Sequence, residues 1–276
     1  MKENAHREAL ERSRAMRDTL RDCRLCPRQC GVDRLHGQKG YCGLDATVRW
    51  FREMLYGREE TPLNPSHQVY FAGCNLRCAF CSVEEWNLQP EAAQPMDRQE
   101  LLAVIQRRRQ QGARTLNLLG GEPAVSVHGI LELLAGVDVR TTVVWNSNMY
   151  YTEPVAQALV GLADVYLADL KCGDPVCAER LLGATDYIEV VRANILRARQ
   201  VGDVIVRHVI LPGHLDCCLR PTLEWIADQA PDVKVSLWGE YVPPAEAGSA
   251  PQGYLGPAER EQALRMAGDL ELHLIE

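Results

Sequence analysis

No stretch of the chain is apolar for anything near the roughly 20 residues that a membrane-spanning helix needs. A signal-peptide core is missing too, since the first twenty residues carry Lys2, Glu3, Arg7, Glu8, Glu11, Arg12 and Arg14. Positive charge is not in excess. The 30 Lys and Arg against 37 Asp and Glu leave a net −7, which gives no electrostatic reason to expect a nucleic-acid partner. Neither an internal repeat nor a low-complexity tract interrupts the sequence. These absences lead us to expect a cytoplasmic globular protein with no membrane and no nucleic acid as partner. The local exception is Arg107-Arg108-Arg109 with Arg114 nearby, read as a solvated helix face or, less readily, a dock for an acidic redox partner.

Cysteine, by contrast, is plentiful. Eleven cysteines in a reducing compartment read as metal ligands or redox groups rather than as disulfides. They fall into three sets: Cys23, Cys26, Cys30 and Cys42; then Cys74, Cys78 and Cys81; then the scattered Cys172, Cys177, Cys217 and Cys218.

The texture changes along the chain. Residues 1–21 are charged, with Leu10 and Leu20 at helical intervals, and predict a surface helix. Residues 22–66 are rich in Cys, Gly and Arg without a sustained period, as in a small metal-organised module. We therefore divide the chain into an N-terminal helix with a Cys-rich metal-binding module, 1–66, and a main domain, 67–276. In the latter, strands are expected over Gln68–Ala72, Thr115–Leu119, Thr141–Trp145, Asp164–Ala168, Val204–Leu211 and Val233–Leu237. Helices are expected from the capping sequence at Asp97 to about Gly112, and over Val127–Leu134, Pro154–Leu162, Tyr187–Val201, Arg220–Ala230 and Pro257–Ala267. Residues 242–256 read as a loop. Six strand–helix alternations predict a parallel α/β sheet, either open or a partial (β/α)6 TIM-like barrel, with its chemistry at the carboxyl ends of the strands.

The loops after the strands carry that chemistry. Behind the first strand comes Cys74-x3-Cys78-x2-Cys81, three thiols on one short loop. Three thiolates can hold three corners of a cubane and leave the fourth iron open, whereas four would close it. A zinc site with a distant fourth ligand is the plainer alternative. After the second strand stands Gly120-Gly121-Glu122-Pro123, where paired glycines allow close backbone approach. Alone it would be a turn; its position on the same edge, one strand after the cysteine loop, gives it weight.

Together, the Cys74/Cys78/Cys81 spacing with Phe80 before the last cysteine, and then Gly120–Pro123, resemble the radical S-adenosylmethionine (SAM) superfamily. Asp169-Leu170-Lys171, Val190–Ile195 and Val206–Gly213 are similar to the pyruvate formate-lyase-activating-enzyme group. The N-terminal Cys23-x2-Cys26-Pro27-Arg28-x-Cys30 with Gly40-Tyr41-Cys42-Gly43 resembles an uncharacterised branch of that group. The similarity implies a [4Fe–4S] cluster on Cys74, Cys78 and Cys81, with SAM chelated to its open iron. It further implies Phe80 near the adenine and Gly120, Gly121 and Glu122 at the methionine amino group. Asn146, Ser147 and Asn148 would flank SAM, and Asp169 and Lys171 its ribose or carboxylate. A low-potential electron donor of flavodoxin or ferredoxin type is implied as partner, together with a glycyl radical enzyme whose backbone glycine is the target. Two departures bear on the substrate. Activating enzymes of the group carry Asp where Asn146 stands, and a His near Trp238-Gly239-Glu240-Tyr241-Val242. Modification of a peptide or small molecule therefore stays as an alternative. A non-enzymatic zinc or iron–sulfur protein is the third reading, and it leaves Gly120–Pro123 unexplained.

Other residues read more plainly. Cys23, Cys26, Cys30 and Cys42 supply four thiols, enough for a structural zinc site or a second, complete iron–sulfur cluster. Asp169 and Lys171 alone would be an ordinary ion pair at a strand end. His208 reads as a packed core residue, while His214 could face the substrate. Vicinal Cys217 and Cys218, with Cys172 and Cys177, read as buried thiols.

Overall fold

The computed structural model describes residues 2–245 and 248–275. Its sheet begins at an edge the sequence does not advertise. Strand β1 (Arg49–Tyr56) runs antiparallel to β2 (Ser66–Phe71), and two-residue β3 (Gln94–Pro95) pairs with the outer side of β1. From β2 onward every pairing is parallel and in chain order: β4 (Thr115–Gly120), β5 (Thr142–Ser147), β6 (Val165–Asp169), β7 (Asp203–Val209), β8 (Lys234–Trp238) and the short β9 (Leu274–Ile275). β2 and β4 to β8 are the six expected strands. Among the described residues the two edges, β3 and β9, do not pair, so the sheet is a partial barrel.

Parallel strands are covered on both faces and so read as continuous apolar runs. Val143, Val144 and Trp145 of β5, like Leu116, Asn117 and Leu118 of β4, are buried regardless of which face they occupy. The helices fill the crossovers: α2 (Glu84–Leu88), α3 (Arg98–Gln110), α4 (Val127–Leu134), α5 (Glu153–Leu159), α6 (Pro175–Leu182), α7 (Tyr187–Ala198), α8 (Arg220–Gln229) and α9 (Pro257–Asp269). Helix α3 starts where expected, because the Asp97 carboxylate accepts from the backbone N–H of Gln99 (2.8 Å) and Glu100 (3.0 Å).

The N-terminal helix α1 (Lys2–Asp18) packs against α4 through Ala5, Ala9 and Met16. Leu10, one of the two residues that suggested its apolar face, is 44% exposed, and Leu20 lies beyond its end, buried in a 3₁₀ turn. Small alanines, not the leucines, let the two helices approach. The expected division after residue 66 falls between β1 and the body of β2, two hydrogen-bonded strands of one sheet. Of the expected loop 242–256, residues 246 and 247 lie outside the described residues; Tyr241 donates its hydroxyl to the Pro251 carbonyl across it (2.6 Å). Two members of the arginine run are paired, Arg108 with Glu53 (2.7 Å) and Arg109 with Asp138 (2.9 Å), while Arg107 is exposed.

Candidate active site

The carboxyl ends of β2, β4, β5 and β6 open into one cavity of about 530 Å³. Cys74, Cys78, Phe80 and Cys81 reach it from the loop after β2, and Gly120 and Gly121 from the end of β4. Asn146 and Asn148 reach it from the end of β5, Asp169 and Lys171 from the end of β6.

The cysteine loop is shaped by its surroundings. Gly73 has φ +83°, and a Cβ there would strike Leu44 and the Cys42 carbonyl, so only glycine turns the chain into Cys74. The backbone N–H groups of Arg77 and Ala79 donate to Leu182 (3.1 Å) and Leu181 (2.7 Å), which ties the loop to the end of α6. Three donors face its sulfurs: Asn87 Nδ2 to Cys81 (3.3 Å), Asn148 Nδ2 to Cys74 (3.7 Å) and the Leu76 N–H to Cys74 (3.4 Å). Burial pushes the Cys74 thiol up and that of Cys78 to about 12, with the Lys171 ammonium pulling Cys78 the other way. Metal binding there must expel protons.

Gly120 and Gly121 are required for a reason beyond ligand approach. A Cβ on Gly120 would meet the Phe71 backbone, and one on Gly121 the Gly73 carbonyl and the Asn87 side chain. The glycines thus let the two site loops touch. Glu122 and Ser147 stand behind the wall rather than in it. The fully buried Glu122 carboxylate accepts from the N–H of Ala124 (2.9 Å) and Asn148 (2.8 Å) and from the Ser147 hydroxyl (2.8 Å). Burial lifts its pKa to about 7 against those donors. It locks the β4 and β5 loops together. Asp169 and Lys171 form a 2.7 Å ion pair; burial would lower the ammonium, but the charge and hydrogen bond of Asp169 together with the nearby Cys78 and Cys74 sulfurs outweigh it and the pKa is raised.

The far wall of the cavity comes from residues with no motif of their own. Arg52 from β1, Gln68 and Tyr70 from β2, Glu59, Arg207 and Trp238 complete it. Arg207 Nε donates to Glu60 (2.7 Å) and its Nη2 reaches both Glu60 and Glu59. Glu59 also accepts from Gln68 (2.6 Å) and Asn117 (2.7 Å). An Arg within an apolar strand was the one available signal. His214 does not line the cavity but turns towards Cys177, Cys217 and Cys218. His208 is buried in the core, its Nδ1–H donating to Leu170 O (2.6 Å).

Residues 69–226, more than half of the chain, match the family model described as the radical SAM superfamily. The chain belongs to the radical SAM superfamily. Among curated proteins it is 32% identical to uncharacterized protein MJ0674 of Methanocaldococcus jannaschii, over 94% of this chain and 78% of that one. It is 33% identical to 7-carboxy-7-deazaguanine synthase of Rhodospirillum rubrum, over 50% of this chain and 57% of that one. Among solved structures it resembles SuiB of Streptococcus suis bound to the precursor peptide SuiA. The TM-score is 0.56 at 14% identity, over 73% of this chain and 46% of SuiB. The chain thus spans less than half of SuiB, and that likeness concerns the fold.

Radical SAM proteins use a [4Fe–4S] cluster and SAM and need an electron donor, and the residues here fit both groups. Three thiols on one loop, two of them (Cys74 and Cys81) faced by amide donors, suit cluster thiolates. Asn146 Nδ2 is buried at the cavity with no partner, a donor left over for a ligand acceptor. No helix among the described residues is long and apolar enough to cross a membrane.

The N-terminal thiols form a second neighbourhood. Cys26 is raised to about 12 by burial and feels the charges of Cys42, Cys30 and Cys23. Amid them lies Arg34, 1% exposed, donating to the carbonyls of Asp45 (2.7 Å) and Val125 (2.9 Å) and facing Cys23 Sγ at 3.8 Å. No carboxylate among the described residues pairs with it.

Proposed function

We propose that the chain is a radical SAM enzyme that abstracts a hydrogen atom from a peptidyl substrate, with a backbone glycine of a partner glycyl radical enzyme as its first target. One observation carries this reading: Cys74, Cys78 and Cys81, Gly120–Gly121, the β5 asparagines and the Asp169–Lys171 pair converge on one cavity. When bound, the cluster and SAM supply reductive C–S cleavage to methionine and a 5′-deoxyadenosyl radical. The chain's residues do the rest. The three cysteines hold the cluster, with Asn87 and Asn148 donating to their sulfurs. Gly121 and Asn146 offer backbone and amide to the methionine end of SAM. Lys171, kept protonated by Asp169, offers a cation to a carboxylate or ribose oxygen. Phe80, met edge-on by Tyr241 at 6.5 Å, offers an apolar face to the adenine. Arg52, Tyr70 and the Arg207–Glu59 pair are left to meet the substrate.

Peptidyl chemistry is favoured by the activating-enzyme motifs Val190–Ile195 and Val206–Gly213, and by SuiB, which binds a precursor peptide. Small-molecule chemistry is the second reading, favoured by the deazaguanine synthase relative. Anaerobically reconstituted protein given dithionite and SAM should release 5′-deoxyadenosine. Failure to do so with an intact cluster overturns the proposal. A glycyl radical signal on an added partner protein distinguishes the activase from a modifier.

For Cys23, Cys26, Cys30 and Cys42 we infer a second iron–sulfur cluster that relays electrons and organises the segment 1–66, whose β1 joins it to the main sheet. A buried unpaired cation such as Arg34 is costly, and an anionic set of thiolates would offset it. Cys26 and Cys42 each feel neighbouring thiols, yet among the described residues the four sulfurs do not gather as closely as the Cys177, His214, Cys217 and Cys218 ligand atoms do. Iron analysis of a Cys26→Ser/Cys30→Ser variant, which should retain the catalytic iron only, tests this.

A further inference from the structure

Among the described residues, one group of thiol and imidazole atoms does close to single-ion spacing, and it lies outside the cavity. We propose that Cys177, His214, Cys217 and Cys218 bind one zinc ion as a closed, structural site. Their ligand atoms all fall within 4.8 Å of one another. His214 Nδ1 is 3.2 Å from Cys217 Sγ and 3.7 Å from both Cys177 Sγ and Cys218 Sγ, and the two vicinal sulfurs are 4.0 Å apart. A zinc tetrahedron with Zn–S of about 2.3 Å and Zn–N of about 2.0 Å has edges of roughly 3.5–3.8 Å. The four atoms therefore already outline the polyhedron. An iron–sulfur cube would hold its thiolates farther apart.

The local backbone explains why a vicinal pair can serve. Successive side chains of an α-helix diverge by about 100°, which normally separates neighbours. Here Leu215–Leu219 is a π-helical turn entered from His214, and the wider turn brings Cys217, Cys218 and the His214 ring to one side. Cys177 arrives from the first turn of α6, where the Asp174 carboxylate accepts from the Cys177 N–H (2.9 Å). Three of the four residues are buried and Cys217 is half-buried, leaving a way in for the ion.

Loading is an exchange of protons for metal without electron transfer. Three S–H groups lose their protons, Nδ1 ligates through its lone pair, and the proton of neutral His214 moves to Nε2. Arg180, now 3.4 Å from Nε2, is exposed and free to turn aside, and its charge offsets the net −1 of a Cys3His zinc site. Cys172, buried beside Cys218, supplies a further S–H neighbour.

The ion would clamp the β6–α6 segment to the β7–α8 segment. The two are in close contact, since a Cβ on Gly173 would strike the Cys218 carbonyl. Asp169 and Lys171 stand at the start of the first segment, so the clamp holds that wall of the cavity without touching it.

Metal analysis of the reconstituted, chelator-washed full chain tests the site. A Cys177→Ser/Cys218→Ser variant should carry one zinc fewer per chain than wild type, with iron unchanged. Unchanged zinc, loss of iron instead, or wild-type protein without tightly held zinc overturns the proposal. Should that variant not fold, His214→Cys keeps four ligands. Its cobalt(II) form should show a thiolate charge-transfer band stronger by about one third. A spectrum identical to wild type overturns the assignment.

Discussion

The Arg77 guanidinium, from inside the Cys74–Cys81 loop, lies 4.4 Å from the centre of the Tyr41 ring, next to Cys42. Arg28, between Cys26 and Cys30, lies 4.1 Å from the same ring. One aromatic residue therefore joins the N-terminal thiols to the catalytic loop, reinforced by Arg28 Nε donating to the Asn75 carbonyl (2.9 Å).

If electrons pass between the two thiol sets, loosening this joint should slow delivery and spare chemistry. Each cation–π contact contributes about 0.5–2 kcal/mol. Tyr41→Ala should then lower SAM cleavage several-fold with a flavodoxin- or ferredoxin-type donor. Dithionite, small enough to reach the catalytic cluster directly, should restore the rate. An equal loss with both reductants contradicts a relay.

Cys78→Ala removes one of three corner ligands. SAM cleavage should fall to background and the catalytic iron should be lost, while far-ultraviolet circular dichroism stays that of the wild type. Release of 5′-deoxyadenosine at about 10% of the wild-type rate or more, a loss of no more than about 1.4 kcal/mol, contradicts the cluster assignment.

Asn87 makes a different claim. Its amide donates to Cys81 Sγ at 3.3 Å, and hydrogen bonds to cluster sulfurs favour the reduced, more negative state. Asn87→Leu should shift the catalytic midpoint potential to more negative values without changing iron content. Redox titration monitored by electron paramagnetic resonance reads this shift; a more positive potential contradicts it.

Much of this arrangement was legible in the sequence because it depends on local rules. The six parallel strands are apolar runs with turn residues after them, and the chemistry sits on those turns. What was not legible depends on partners distant in the chain. β1 (RWFREMLY) reads as charged and aperiodic because its charges are satisfied elsewhere: Glu53 by Arg108 and His67, while Arg52 faces the cavity. Glu122 reads as a ligand-facing carboxylate, and only the fold reveals the three donors that hold it behind the wall. His214 and Cys177 are 37 residues apart, and no periodicity announces a π turn at Leu215.

The last prediction concerns pH. Burial lowers His128 and His208 to about 4, each neutral ring donating to a backbone carbonyl, Ala46 and Leu170 respectively. In the unfolded chain both titrate near 6.5, so between pH 6.5 and 4 the unfolded state binds more protons and stability falls as pH falls. At 1.36 kcal/mol per pH unit, each contributes on the order of 3 kcal/mol across that window. Glu122 opposes them. Its pKa is raised to about 7, so the folded state holds the extra proton, and its contribution declines as pH rises from about 4.5 to 7. Two histidines outweigh one carboxyl, and the urea midpoint of the metal-free chain should rise with pH from 4 to 6.5. His128→Gln should flatten that rise, and Glu122→Gln should steepen it while lowering the whole curve by about 1–3 kcal/mol through its lost acceptor. A midpoint that falls over this range contradicts the burial of neutral histidines.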